Sequence, residues 1–446
     1  MTEAVILIPG IMGSVLKDGN EVIWPGGALE LVFPYAHMAE LLKPDLVASD
    51  VIRSVSVSSQ YDDLIKALKS CGFTEHAANP NLLIVFPYDW RKDNALAAQG
   101  LADCIDKIAV QLGHGAEINL LAHSMGGLVS RYYLESGQYA NRPGFVSVKR
   151  LVTMGTPHRG APMALAAAVG QEKRLFLNAQ QVKQIANDPN FPSVYQLLPH
   201  QGEPFAWDRA YSARFDPIDI YDPAIAAQLG LEKANLDSAK MFHSGLNLTR
   251  RPSQVRYFFF VGNRQTTTSS VQLQLSAGGG RVLKIDRDDA GDGTVPIWSG
   301  SESGVQMEPV GGEHGELYKN GGLQHVLGAL LGKPGVLLAA GPIPEISVAQ
   351  KVVEPGATTG VTIDFPQGTV KIAGVLQLRR VVDANGIEQP NAPVSKTHPI
   401  TYSGAQIDHL AVLIDAPQFT GVYDLAYLAN GSDVPLAVTQ LFVQGV

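Results

Sequence analysis

The stretch Leu120-Leu-Ala-His-Ser-Met-Gly-Gly127 decides how this chain is read. It joins an apolar run, Glu117-Ile-Asn-Leu-Leu121, to a helix-like run from Leu128 to Leu134. A serine in a sharp strand-to-helix turn is held in a strained backbone conformation, with its hydroxyl clear of the sheet. The N–H groups of the helix start then face any negative charge that develops beside it. The residues two before and two after the serine must be small, or strand and helix collide. Ala122 and Gly126 meet that need, Ala122 standing where glycine is usual. The alternative is a tight turn with an incidental serine, which the strand–turn–helix context disfavours. His123 would point into the fold from such a turn, which suits a structural role.

Working outward, short apolar runs alternate with helical patterns. Ala4-Val-Ile-Leu-Ile8, Asn81-Leu-Leu-Ile-Val-Phe86, Lys149-Arg-Leu-Val-Thr-Met154 and Val255–Val261 read as strands, and 62–70 and 95–112 as amphipathic helices. This alternation predicts a mostly parallel sheet with helices on both faces, an α/β-hydrolase fold once the serine turn is included. The stretch 163–249 shows no clear buried strand and reads as a helical cap inserted between two sheet strands. Residues 266–280 read as a protruding hairpin. Near Gly332 the character changes. A Pro/Gly-rich linker, Gly332-Lys-Pro-Gly and Gly341-Pro-Ile-Pro344, precedes short β-type runs broken by Glu354-Pro-Gly, Phe365-Pro-Gln-Gly, Asp383-Ala-Asn-Gly386 and Asn430-Gly. The expected organisation is a catalytic domain over 1–335, with its cap at 163–249, and a β-sandwich accessory domain over 343–446.

Composition narrows the function. The 446 residues are 45% apolar and 17% charged, enough for a large core. A net charge of −8 with no basic block argues against a nucleic-acid partner. Cys71 and Cys104 are the only cysteines, and the run Ala4–Ile8 has no basic segment before it, so a cytoplasmic location is expected, with leaderless secretion left open.

The remaining chemistry lies in the order such a fold requires, acid and then histidine after the serine. Asp292 stands in Ala290-Gly-Asp-Gly-Thr-Val-Pro296 and His314 in Gly311-Gly-Glu-His-Gly315. His314 would take the serine proton, and Asp292 would fix the imidazole tautomer. Asp286, Asp288 and Asp289 are rival acids, and His325, inside a helical run, is the rival base. The loop Pro9-Gly-Ile-Met-Gly-Ser14 follows the first strand, and the N–H groups of Met12 and Met125 are assigned as the oxyanion donors. Taken alone, that loop reads as an ordinary Gly-rich turn. The run from Asp286 to Asp292 resembles the start of a calcium loop, but Ala290 lacks a ligand oxygen and Ile297 stands where a glutamate is needed. No metal and no cofactor are expected. The segment 25–44, with Leu29, Leu31, Phe33 and Leu42, reads as an acyl-chain wall near the site mouth, a lipid-facing surface or plain core.

Pro9-Gly-Ile-Met-Gly-Ser14, Tyr88-Asp-Trp-Arg91, Ala122-His-Ser-Met-Gly-Gly127, Gly155-Thr-Pro-His-Arg-Gly160, Ser193-Val-Tyr-Gln-Leu-Leu-Pro199 and Gly291-Asp-Gly-Thr-Val295 together resemble the lecithin:cholesterol acyltransferase family. The resemblance runs to about residue 331. It implies a catalytic Ser124, Asp292 and His314, an oxyanion hole at Met12 and Met125, and a lipid or phospholipid substrate with peripheral membrane contact. Secreted members carry a signal peptide and a disulfide near the lid, and neither is expected here. The C-terminal domain is outside the usual family pattern and could bind a protein partner. Tyr88–Arg91, with an aromatic pair and a charge pair, suits a packing role. Three functions are carried forward: a phospholipase A or lipase, an acyltransferase with an alcohol acceptor, and a non-catalytic binding or scaffold protein on a degenerate hydrolase fold.

Overall fold

The computed structural model describes residues 2–56, 58–76, 81–209, 217–275, 281–288, 290–333 and 344–445. Six parallel strands form its main sheet: β1 (Glu3–Ile8), β2 (Asn81–Val85), β3 (Glu117–His123), β4 (Val148–Met154), β5 (Arg256–Asn263) and β6 (Gln306–Gly311). Their spatial order is β6-β5-β4-β3-β1-β2. The chain adds β2 on one side of β1 and then crosses to the other side to add β3. The order therefore reverses at β1, and a crevice opens beyond the carboxyl ends of β1 and β3, where ligands bind in such sheets. The loop after β1 and the Ser124 turn after β3 both lie there.

The strands are near-continuous apolar runs because both faces are covered. Ala4, Ile6 and Ile8 of β1 belong to one buried cluster, while Val5 and Leu7 belong to the other. Helices α1 (Asp62–Ser70), α2 (Asn94–Leu112) and α3 (Met125–Glu135) supply the layers. Leu64, Ile65 and Leu68 of α1 face one cluster, and Ala98, Leu101 and Ile105 of α2 the other. The expected helices and strands stand within one or two residues of their sequence positions. β6, with its exposed Gln306–Pro309, is the strand that apolar patterning passes over.

The insertion between β4 and β5 is mainly helical, as expected, with α4 (Met163–Ala168), α5 (Ala179–Ala186), α6 (Ser193–Gln196), α7 (Pro223–Leu229) and α8 (Lys233–Ser244). Gln196 pins it to the body. Its side-chain oxygen accepts from the N–H of Asn94 at 2.9 Å, and its amide donates to Asp93 at 2.7 Å and Ser238 at 2.9 Å. The hairpin Thr267–Gln274/Arg281–Asp288 forms, with its turn at 276–280 outside the described residues. It does not protrude as expected. Val271 and Leu273 are fully buried, because the first strand pairs with Ala206–Asp208 of the insertion.

Helix α9 (Gly321–Leu330) ends the α/β body, and the expected linker falls largely outside the described residues. Beyond it, Glu345–Val348, Val352–Val353, Thr358–Val382, Val394–Asp415, Gly421–Ala429 and Ala437–Val443 hydrogen-bond into one sheet that curls over its own core. Two of these strands are long, of 25 and 22 residues, where short ones were expected. The reason lies at Phe365–Gly368: the ladder shifts register between Asp364 and Thr369, so this Pro/Gly signal bends the strand and does not end it. Asn385-Gly386 does turn the chain, with Asp383 Oδ1 accepting from the N–H groups of Asn385 and Ile387.

Candidate active site

Ser124 sits at φ 52°, ψ −126°, a conformation that a non-glycine residue holds only when its surroundings enforce it. Its N–H donates to Met154 O at 2.9 Å, and its carbonyl accepts from Thr156 Oγ1 at 2.8 Å. Gly126 is obligatory. A Cβ there would lie 2.5 Å from Pro9 O and 2.6 Å from Ile8 O. The strained non-glycine residues gather around one cavity. Of the five with positive φ among the described residues, Met12, Ser124 and Leu175 line it.

His314 and Asp292 meet Ser124 from two loops beyond the sheet. His314 Nδ1 is 2.8 Å from Asp292 Oδ2, and His314 Nε2 is 2.8 Å from Ser124 Oγ. An ionised carboxylate only accepts, so the proton rests on Nδ1. Nε2 is then the acceptor, and the serine hydroxyl donates to it. Asp292 is fully buried, and its second oxygen accepts from the N–H groups of Thr294 at 3.0 Å and Val295 at 2.7 Å. Its orientation is therefore fixed independently of the histidine. The three residues singled out in the sequence come together in the arrangement that lets a hydroxyl lose its proton to an imidazole.

The rivals lie elsewhere. His325 is exposed on α9. Asp286 and Asp288 belong to the hairpin strand, and Asp289 is outside the described residues. No carboxylate, histidine or cysteine cluster able to hold a metal ion occurs among the described residues.

Beside this array runs a second hydrogen-bond chain. His123 Nε2 lies 2.8 Å from the carbonyl of His314, which only accepts, so Nε2 carries the proton. His123 Nδ1 then accepts from the Tyr61 hydroxyl at 2.7 Å, and Tyr61 accepts in turn from the N–H of Gly10 at 2.9 Å. Burial holds His123 neutral, pushing its pKa down to about 3. The loop after β1 is thus tied through two buried side chains to the backbone of His314. Sequence reasoning placed His123 inside the fold but found no sign of Tyr61.

In that same loop the N–H of Gly10 serves Tyr61, and that of Gly13 serves Gly10 O at 3.1 Å. Met12 stands in this loop at φ 61°. The N–H of Met125, at the start of α3, has no intrahelical acceptor. Met125 directly follows Ser124, and Met12 lines the same cavities as Ser124. Tyr88–Arg91 packs, as expected. The Tyr88 hydroxyl donates to Pro9 O at 2.9 Å, and fully buried Arg91 forms a fork on Asp89 at 2.9 and 2.7 Å.

Two cavities meet at Ser124. One of about 720 Å³ has mixed walls, with charged side chains such as Lys351 and Arg174 among apolar ones such as Trp24, Phe176 and Phe442, and one of about 80 Å³ is almost wholly apolar, lined in part by Met163, Ala164, Ala167, Val182, Val194 and Leu197 of the insertion. The apolar wall therefore comes from α4, α5, α6 and the residue after it. The segment 25–44 divides: Leu31, Val32, Tyr35 and Leu41 are buried, Leu29 and Phe33 are exposed, and Pro25, Leu31 and Pro34 reach the larger cavity.

Residues 48–243 match the lecithin:cholesterol acyltransferase family. The matched region carries Ser124, Tyr88–Arg91 and Ser193–Pro199, while Asp292 and His314 lie beyond it. A Saccharomyces cerevisiae relative, the uncharacterized protein YJR098C, is 26% identical over 244 residues, covering 51% of this chain. The match spans 33% of that relative's length. Among solved structures, the Tle4–Tli4 complex is similar at 16% identity and TM-score 0.47, covering 75% of this chain and 98% of that one. The lin2722 product of Listeria innocua follows at 12% and 0.32, covering 75% and 95%, and the metagenomic carboxyl esterase MGS0156 at 12% and 0.34, covering 70% and 64%.

The C-terminal sheet reaches the site. Lys351 lies 3.1 Å from Glu313 and 2.9 Å from Glu316, on either side of His314. Burial alone would raise Glu316, but Lys351 and Lys319 hold it down at about 2. Burial pushes Glu313 up against the pull of Lys351. Val348, Phe442 and Gln444 complete the cavity wall.

Proposed function

We propose that this protein is a serine acyl-ester hydrolase acting on lipids, of the phospholipase A or lipase type. The observation that carries the reading is the 2.8 Å contact of Ser124 Oγ with His314 Nε2, where a small apolar cavity joins a larger one of mixed polarity. In this mechanism His314 takes the hydroxyl proton as Ser124 attacks the acyl carbonyl, and Asp292 stabilises the resulting imidazolium. The oxyanion of the tetrahedral intermediate is met by the N–H groups of Met12 and Met125. His314 then protonates the leaving alcohol, and water repeats the sequence on the acyl-enzyme. The acyl chain enters the apolar cavity, each buried CH₂ contributing about 0.8 kcal/mol of binding. Exposed Leu29, Phe33 and Leu175 supply peripheral membrane contact.

The larger cavity also has room for an alcohol beside the acyl-enzyme, which favours an acyltransferase as the second reading. Incubation with defined phospholipid vesicles, with and without a sterol or diacylglycerol acceptor, tests both. Free fatty acid and lysophospholipid are expected. Acylated acceptor at the expense of fatty acid would favour transfer. Inert vesicles with rapid turnover of acetate esters would exclude the lipid reading.

A further inference from the structure

Asp292 and His314 stand on two loops of the α/β body, and one short segment of the C-terminal sheet touches both. The acid loop is reached through Gln265. Its N–H donates to Gly291 O at 2.9 Å, and the residue pairs with Asp292 in a parallel β-bridge. Its buried side chain donates from Nε2 to Ser347 Oγ at 2.8 Å. Ser347 is itself buried, in the strand Glu345–Val348. Just beyond that strand, Lys351 reaches the histidine loop, 3.1 Å from Glu313 and 2.9 Å from Glu316.

The second contact is anchored deep in the C-terminal sheet. The Lys351 side chain is only 15% exposed. Its carbonyl accepts from the N–H of Phe442 at 2.7 Å, so the strand Ala437–Val443 pins its backbone. Burial works against the Lys351 charge, but Glu313 and Glu316 outweigh it and raise the ammonium above its ordinary range. The cation is retained. Thr439, buried in the strand Ala437–Val443, donates to Glu316 Oε2 at 3.2 Å.

Without Lys351, two like charges would flank His314 in a partly buried site, with Lys319 serving only Glu316 among the two. Such charges repel and force their backbone apart. The backbone between them carries His314, whose N–H donates to Asp292 O at 2.8 Å and whose carbonyl accepts from His123. A shift of this loop moves the Nε2 that faces Ser124 Oγ. A misplacement of about 1 Å at a reacting centre costs about 100-fold in rate.

We propose that segment 345–353 of the C-terminal sheet is a two-point clamp on the catalytic loops, with Lys351 positioning His314 and Ser347, through Gln265, positioning Asp292. Both are positioning residues, each acting through another side chain. The inference goes beyond the acyl-ester hydrolase reading, and only its kinetic test rests on that reading.

The test compares the full chain as wild type, Lys351→Met, Lys351→Arg, Ser347→Ala and Glu388→Gln on p-nitrophenyl butyrate, at a temperature where circular dichroism shows the proteins folded. Glu388→Gln is the control. Glu388 joins the same two domains through a contact with Ser56 Oγ, at 2.8 Å, that involves neither catalytic loop. Lys351→Met is expected to lower kcat about tenfold or more with KM within about twofold, and Ser347→Ala to lower kcat about threefold. Lys351→Arg, which keeps a cation between the carboxylates, is expected to recover most of the rate, and Glu388→Gln to match wild type. Unchanged kcat in both Lys351→Met and Ser347→Ala would overturn the proposal. An equal loss in Glu388→Gln would also overturn it, by reducing the effect to domain docking in general. Should Lys351→Met fail to fold, Ser347→Ala against Glu388→Gln decides. A second readout needs no turnover. The His314 Nδ1 proton, shared with Asp292 at 2.8 Å, gives a low-field proton resonance that His314→Gln assigns by its loss. Lys351→Met and Ser347→Ala are expected to shift or broaden it, and Glu388→Gln to leave it in place. An unmoved resonance in both would overturn the clamp. Should wild type cleave no ester, the hydrolase reading fails, and this resonance still decides whether the C-terminal sheet positions His314 and Asp292.

Discussion

The ring of His123 donates from Nε2 to the backbone carbonyl of His314 at 2.8 Å, so the residue preceding the candidate nucleophile holds the residue that activates it. Through Tyr61 the same ring reaches Gly10, on the loop that carries Met12. Serine turn, histidine loop and the loop after β1 are thus joined by neutral, buried hydrogen bonds. His123→Ala is expected to lower kcat about 10–100-fold with little change in KM, the scale expected when a reacting group is displaced by about an ångström. Steady-state kinetics on a soluble ester measure this. A KM effect alone would show that His123 lines the substrate path and does not position His314.

Lys351 couples the C-terminal sheet to the same loop. Its replacement by Met leaves Glu313 and Glu316 facing each other without their shared cation. The expected cost is about 3 kcal/mol of stability, at the lower end for breaking a buried ion pair because both carboxylates keep some solvent. Urea unfolding of Lys351→Met against wild type measures it. An unchanged midpoint would mean that the C-terminal sheet does not support the histidine loop.

Among the described residues His123, His158 and His243 are buried and His200 is half-buried. Burial lowers His123 to about 3, His243 to about 4 and His200 to about 2, and it places His158 well below its usual range. Each folded value lies under the unfolded value of about 6.5, so the unfolded chain binds more protons between the two. Their stabilisation is complete above about pH 6.5 and is lost progressively as pH falls toward 4. Thermal unfolding across pH 4–8 should show a plateau above neutrality and a declining Tm below it. A Tm that rises on acidification would contradict the neutral burial of these rings.

Much of this was legible in the sequence, and what was not has identifiable causes. Ser124, Asp292 and His314 could be read because each stands in a local pattern, a strand–turn–helix or a Gly-flanked loop, that chain order then arranges. β6 was missed because Gln306, Met307, Glu308 and Pro309 are exposed, so one edge strand lacks an apolar signature. The long C-terminal strands were missed because Pro366 and Gly368 read as a turn where tertiary pairing accepts a bulge. Tyr61 and Lys351 had no local signal, since their partners are 62 residues away at His123 and across a domain boundary at Glu313. The segment 25–44 was left open between acyl-chain wall, lipid-facing surface and core, whereas the small apolar cavity is bordered by small residues, Ala164 and Ala167, whose size leaves the space.

That last assignment is itself testable. Ala167→Phe fills the apolar cavity beside Ser124, and its effect should grow with acyl length. For p-nitrophenyl esters, kcat/KM is expected to fall at least tenfold for long chains relative to acetate, since each displaced CH₂ forfeits about 0.8 kcal/mol. A uniform loss across the series would place the acyl chain elsewhere.

The central claim is that Ser124 forms the acyl-enzyme, and the rate of Ser124→Ala on an ester that the wild type cleaves tests it most directly. The account predicts a loss of about a thousandfold or more, with the fold intact by circular dichroism. Turnover at the wild-type rate in that variant would contradict it.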